Sequence, residues 1–248
     1  MRLILTGTLL AITLGSPRPA LAQTREWPER IWFSVGGSVQ PAANGFSDTL
    51  DVPLYPESEK VSIAYPVKGG AVVAASGGYR VWKQLALGIG VTRYNGRAQA
   101  AVDAQVPHPF FDNRFREVQG TTPAARTEIG THVLIGWMMT LTDRFRLLLT
   151  AGPSVLSVRQ TLVTGVEVSE TYPYDTAAFK SATAENVTAR ATGFDAGADL
   201  FWMFSRNVGA GGLVQVTRAS AKERTGAGRT VSVNAGGAQV GAGLRFLF

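Results

Sequence analysis

The chain holds two histidines, and only His132 has a reactive neighbour in its own strand pattern. It follows Glu128 by four residues in the alternating stretch EIGTHVLIGWMM, so both side chains leave one face of an extended strand. An imidazole and a carboxylate begin a nucleophilic site, but the chemistry also needs a serine within reach of the ring. The plainer reading is a polar pair on the inner face of a sheet. His108, held between Pro107 and Pro109, reads as a loop residue. The segment GAGRT, Gly226–Thr230, has the look of a phosphate loop but lacks its lysine and the following helix, so it reads as a turn. With no cysteine, disulfides and thiolate metal sites are excluded, and no cofactor or metal is expected.

Positioning these groups falls to a series of alternating segments. Near Arg30 to Gln40, residues Ile31, Phe33, Val35 and Val39 alternate with Trp32, Ser34, Gly36 and Ser38. A second strand near Gly70 to Trp82 and a third from Leu85 are separated only by Lys83 and Gln84, a tight hairpin. The pattern recurs from Ile129 to Leu141 and Phe145 to Val155, then from Phe194 to Phe204 and Val208 to Val216. It ends on Thr230–Phe248, whose alternate residues Val240, Ala242, Leu244, Phe246 and Phe248 form an apolar ladder. That gives eight strands joined alternately by very short turns and by long polar segments near 41–69, 96–125, 159–188 and 219–229, which read as loops, the first with a short strand extension at Val61 to Tyr65.

The first 22 residues carry Arg2, an apolar run from Leu3 to Leu14 and Ala20-Leu21-Ala22, the pattern of a cleaved secretory signal peptide. Residues 23–29 then form a short polar lead, and 30–248 one barrel domain. Losing Arg2 and Arg18 lowers the net charge from +6 to +4, too mild and scattered to argue for nucleic acid. No later stretch approaches 18 apolar residues, so no transmembrane helix is expected.

Alternation alone does not say which face is outside. Large aromatics do, because Tyr79, Phe145, Trp202, Phe204, Phe246 and Phe248 gather at the short-turn ends of the apolar faces, with Trp137 further in, as in a membrane-interface girdle. Tyr65, Tyr94 and Tyr172 are candidates for the opposite girdle. The other faces carry Arg80, Glu128, Arg146, Asp195, Asp199 and Arg245, interleaved with glycines such as Gly88, Gly136, Gly211 and Gly243. Each of these charges would cost about 2 to 4 kcal/mol facing lipid at mid-membrane, so they belong in the lumen. An eight-stranded barrel is only wide enough for side chains, which favours a luminal charge network that plugs the barrel over a pore. The last loop places Arg218, Lys222, Arg224 and Arg229 against Glu223 alone; it is either a solvated loop or a contact for lipopolysaccharide phosphates.

With the signal peptide, the long-loop hairpins and the ladder of Val240, Ala242, Leu244, Phe246 and Phe248, the chain resembles the small eight-stranded outer-membrane barrels of Gram-negative bacteria, the OmpA and OmpX type. The resemblance implies an all-β, antiparallel, up-and-down transmembrane β-barrel with short periplasmic turns and long extracellular loops, monomeric, resident in the outer membrane among bilayer lipid and lipopolysaccharide. It implies that Leu244, Phe246 and Phe248 form the C-terminal signal read by the barrel-insertion machinery. The expected role is non-enzymatic, in envelope structure or in binding an extracellular ligand through the loops. Lipid A deacylases of similar size use a His, Ser and Glu set, which makes a lipid-modifying enzyme the first alternative; a narrow small-solute channel is the second.

Overall fold

The computed structural model describes residues 28–41, 43–55, 57–224 and 230–248, with side chains described except at 43–44, 221–224 and 230–233. The expected signal peptide therefore lies outside the described residues. Eleven strands follow one another with no helix among the described residues: β1 (Ile31–Gln40), β2 (Ala43–Leu54), β3 (Glu57–Val67), β4 (Gly70–Trp82), β5 (Leu85–Pro107), β6 (Phe115–Thr140), β7 (Phe145–Glu170), β8 (Ala177–Met203), β9 (Val208–Arg224), β10 (Thr230–Ala235) and β11 (Ala238–Leu247). Eight of them, β1, β4, β5, β6, β7, β8, β9 and β11, pair antiparallel in a closed ring.

The seam is made by the terminal strand. β11 pairs with β9 through Leu244 opposite Ala210, and with β1 through Leu244 opposite Val35 and Phe246 opposite Phe33. Phe248 belongs to the same seam, its carbonyl accepting from the amides of Arg30 and Ile31 at 2.7 Å each. Closure removes the free sheet edges that would otherwise leave backbone groups unpaired in an apolar solvent.

Within the ring, alternate residues divide between an outer and an inner face. Ile31, Phe33, Val39, Val73, Tyr79, Ile89, Val133, Ile135, Trp137, Val155, Phe194, Trp202, Val214, Val240 and Leu244 are exposed. Trp32, Ser34, Glu128, His132, Arg146, Asp195, Asp199 and Arg245 are buried inside. An exposed apolar band over a charged interior reverses the order of a water-soluble barrel and matches one solvated by lipid.

Among the described residues the long polar segments are mostly strand, not loop. β6, β7 and β8 run for 26, 26 and 27 residues, whereas about 9 to 11 residues cross a bilayer. Above the apolar band they continue as twisted hairpins, joined by the β2–β3 hairpin lying against β5. There the polarity inverts: Val61, Ile63, Tyr65, Val102, Val118 and Leu162 point inward and pack together, while Lys60, Ser62, Asp103 and Gln105 point out. This half is folded like a protein in water. The inversion also corrects the expected upper girdle, because Tyr65 and Tyr94 are buried inside and Tyr172 stands at the far tip, 79% exposed. Tyr65 instead spans the interior, its hydroxyl accepting from the Val163 amide at 2.7 Å.

Candidate functional site in the barrel lumen

The inward positions of the ring build a stack of polar layers on an apolar floor. The floor, at the short-turn end, is Trp32, Met138, Leu148, Phe201, Met203 and Leu247, all buried. Trp32 fits because Gly78 and Gly88 lie beside it; a Cβ on either would come within 2.8 to 3.0 Å of the indole.

At this end Arg146 of β7 donates to the Glu29 carboxylate, which enters just before β1, and both side chains are buried. Above them Arg245 of β11 meets Asp199 of β8 in a two-pronged pair, Nε to Oδ2 at 2.7 Å and Nη2 to Oδ1 at 3.0 Å, with the guanidinium 5.6 Å from the Phe201 ring centre. Gly211 of β9 makes room, since a Cβ there would sit 2.9 Å from both Arg245 Nε and Asp199 Oδ1.

The middle layer is a hydrogen-bonded belt across five neighbouring strands. His132 Nε2 lies 2.9 Å from Thr92 Oγ1 of β5, and its Nδ1 lies 2.8 Å from Ser154 Oγ of β7. Asp195 of β8 approaches the same Nδ1 at 3.7 Å, and its Oδ2 accepts from Gln215 Nε2 at 2.6 Å and Thr217 Oγ1 at 2.8 Å of β9. The upper layer is centred on Arg126. Its Nε donates to Glu128 Oε1 at 2.6 Å, its Nη1 to Gln160 Oε1 at 2.9 Å, and its Nη2 to the carbonyl of Asn234. Glu128 Oε2 accepts from the Gly236 amide at 2.9 Å, which ties down the link between β10 and β11. Gly236 adopts φ of +84°, a left-handed conformation that glycine adopts without strain.

The structure thus corrects the pairing of His132 with Glu128. Glu128 is turned to Arg126 and Gly236, and the acid near the ring is Asp195. A serine is within reach, yet Ser154 and Asp195 share Nδ1, whereas a hydrolytic relay puts nucleophile and acid on opposite ring nitrogens. The cavity between the middle and lower layers, lined by Thr92, His132, Gln215, Asp199 and Arg245, measures about 50 Å³. That is room for about three to five waters and no substrate.

Of the other expected residues, Arg80 stays out of the stack. It is half-buried at the rim and donates to the Lys83 carbonyl at 3.3 Å. Arg218 is exposed on the outer face of β9 opposite Phe194; Lys222 and Arg224 end that strand, their side chains undescribed, and Arg229 lies outside the described residues. His108 lies in the loop between β5 and β6, as expected, and is buried there, its Nδ1 accepting from the Phe110 amide at 3.1 Å. Arg126, Glu29, Thr92 and Ser154 escaped the sequence reading. Arg126 stands two residues from Glu128 and so shares its face, a signal hidden because the polar run 96–125 just before it reads as loop.

A second constellation joins the hairpin tips. Arg116 Nη2 donates to Glu170 Oε1 at 2.5 Å, and its Nη1 donates to the Tyr174 carbonyl at 3.0 Å. The Tyr55 hydroxyl donates to Glu170 Oε2, the Asn113 amide to Glu57 Oε1 and Arg114 Nη2 to Asp175 Oδ1, each at 2.9 Å. Three hairpins are clasped together. Around the clasp Tyr55, Phe110, Phe111 and Tyr172 are exposed as an aromatic crown. Burial, reinforced by the nearby Glu170 carboxylate, pushes the Glu59 carboxyl above its ordinary value.

No protein-family model matches the sequence, and no curated protein matches it. Among solved structures, the outer membrane protein OprG from Pseudomonas aeruginosa is similar at 9% identity and a TM-score of 0.46, over 89% of this chain and 96% of that one. The outer membrane protease OmpT from Escherichia coli is similar at 10% identity and 0.42, over 92% and 100%. Neisserial surface protein A gives 14% and 0.41, over 88% and 96%. The assignment itself stands on the ring, its apolar outer band and its charged interior: the chain folds as a small eight-stranded membrane β-barrel.

Proposed function

We propose that the protein is a monomeric, non-enzymatic barrel of the bacterial outer membrane, closed to solutes, which holds a folded β-structure above the outer leaflet and presents its aromatic crown to an extracellular ligand. The observation that carries this reading is the inversion of polarity along single strands. β6 turns Val133, Ile135 and Trp137 outward in its lower half and buries Val118 in its upper half, so one strand is built for two solvents. A lipid-embedded base and a water-exposed head follow from that. The stacked ion pairs and the apolar floor support a lumen that does not conduct, against the channel alternative. His132 faces that closed lumen and not lipid, which weighs against the lipid-modifying alternative. The short turns face the periplasm and the crown faces out.

The test is direct. The protein should fractionate with outer membranes, migrate faster on gels before boiling than after, and show no single-channel steps in planar bilayers. Recovery as a detergent-free soluble protein would sink the barrel reading, and reproducible conductance would sink the closed lumen. Lipopolysaccharide contact through Arg218, Lys222, Arg224 and Arg229 is part of the same proposal; replacing the four with Gln should weaken retention of lipopolysaccharide during purification.

A further inference from the structure

Just above the apolar band, β7 and β8 carry a patch that the luminal chemistry does not use. Ser157 stands opposite Arg190, and Arg159 stands opposite Thr188. Both arginines and Thr188 are exposed on the outer face, and Ser157 is half-buried there. Arg159 and Arg190 are thus diagonal neighbours on adjacent strands, about 7 to 8 Å apart along the sheet. Two like charges at that spacing repel, and among the described residues neither has an ion-pair partner or a carboxylate in its cross-strand pairs. Ile129 stands beside Ser157, and further down the same strands lie Val155 and Phe194, the exposed upper edge of the apolar band. The patch sits where lipid headgroups meet water.

We propose that Arg159 and Arg190, with Ser157 and Thr188, form a site for the phosphomonoester of a lipid headgroup whose acyl chains lie along Val155 and Phe194. Two guanidinium forks and two hydroxyls match a doubly charged phosphate with several acceptor oxygens, and binding it removes the repulsion between the arginines. The apolar wall below favours a lipid over free phosphate, because the chains add buried apolar area to the headgroup contact. This inference rests on the outer-membrane reading; its arginines stand on the β7–β8 face, which adjoins the last hairpin where Arg218 lies opposite Phe194.

Its test uses the full barrel in neutral detergent micelles, titrated with lipid A carrying both phosphates, with dephosphorylated lipid A and with inorganic phosphate. The wild-type protein should bind phosphorylated lipid A, and R159Q/R190Q should bind it on the order of tenfold more weakly. Dephosphorylation of the lipid should produce a similar loss in the wild type, and R206Q at the short-turn end should bind normally. Unchanged affinity in an R159Q/R190Q protein that still migrates as a heat-modifiable barrel would overturn the site. Inorganic phosphate binding as tightly as the lipid would overturn the assignment to a headgroup. A wild-type protein that never becomes heat-modifiable would overturn the barrel reading first, and this inference with it.

Discussion

Buried charge in this barrel is organised as pairs, and the pair most open to measurement is Arg245 with Asp199. Both side chains are almost wholly buried, at 3% and 9% exposure, so neither charge can fall back on water if its partner goes. Removing one member of a buried pair typically costs about 3 to 5 kcal/mol, whereas replacing both with apolar groups of similar volume is often neutral. Asp199→Ala should therefore lower the stability of the refolded barrel by an amount of that order. Asp199→Leu combined with Arg245→Leu should lower it much less, in urea unfolding followed by gel migration. Equal losses in the single and double variants would mean that the residues serve packing and not charge balance. The same logic explains Gly211. Its missing Cβ is the space the pair occupies, which the sequence signals only as one glycine among many on an inner face.

The strands carry two codes, and only one of them was legible from the sequence. In the ring, large apolar residues at every second position face outward beside glycines and charges, and that contrast marks the eight ring strands and their order, although the expected last strand Thr230–Phe248 is broken at Gly236 and Gly237 into β10 and β11. In the upper hairpins the contrast is weaker. Val61, Ile63 and Tyr65 alternate with Ser62, Ala64 and Pro66, and the flanking Pro, Asp and Glu read as loop chemistry. What the sequence lacked was any local mark of the change of solvent, because period two survives while its sign flips. The clasp at the tips was hidden for another reason: Tyr55, Arg116 and Glu170 are brought together only by pairing across three hairpins. That clasp carries a pH dependence. Glu59 has its carboxyl raised by burial and by Glu170, so between the ordinary glutamate range and the raised value the folded protein keeps a proton the unfolded chain has lost. Stability of the clasp should fall as pH rises through that window and stay lower above it. Hydrogen exchange in β2 and β3 should quicken accordingly, and Glu59→Gln should flatten the profile and protect these strands at the higher pH. A profile unchanged by the substitution would place the titration elsewhere.

At the scale of the whole molecule the barrel depends on a seam that closes last in sequence separation, joining β1 to β11 across nearly the full chain. Such a contact carries the largest loop-closure cost, so it must form without steric penalty. Here two glycines face each other, Gly36 opposite Gly243. A Cβ on Gly243 would collide with the Val35 carbonyl oxygen and come within 2.5 Å of Gly36 Cα; these are backbone atoms with no rotamer to yield. The strands there approach more closely than any side chain permits. Gly212 offers a matched comparison, because it faces outward and a Cβ there would meet nothing nearer than the Gly241 carbonyl at 3.9 Å. Gly243→Val should therefore block conversion to the fast-migrating folded form, or slow it severely, during refolding into detergent or lipid. Gly212→Val, which adds the same volume to the lipid face, should fold as the parent does. Normal folding of Gly243→Val would mean that the seam can shift its register without loss. The polar belt from Thr92 to Thr217 and the ion pairs beneath it would then not fix how the ring closes, because a slip of one residue at β11 would carry Arg245 out of the lumen and into lipid.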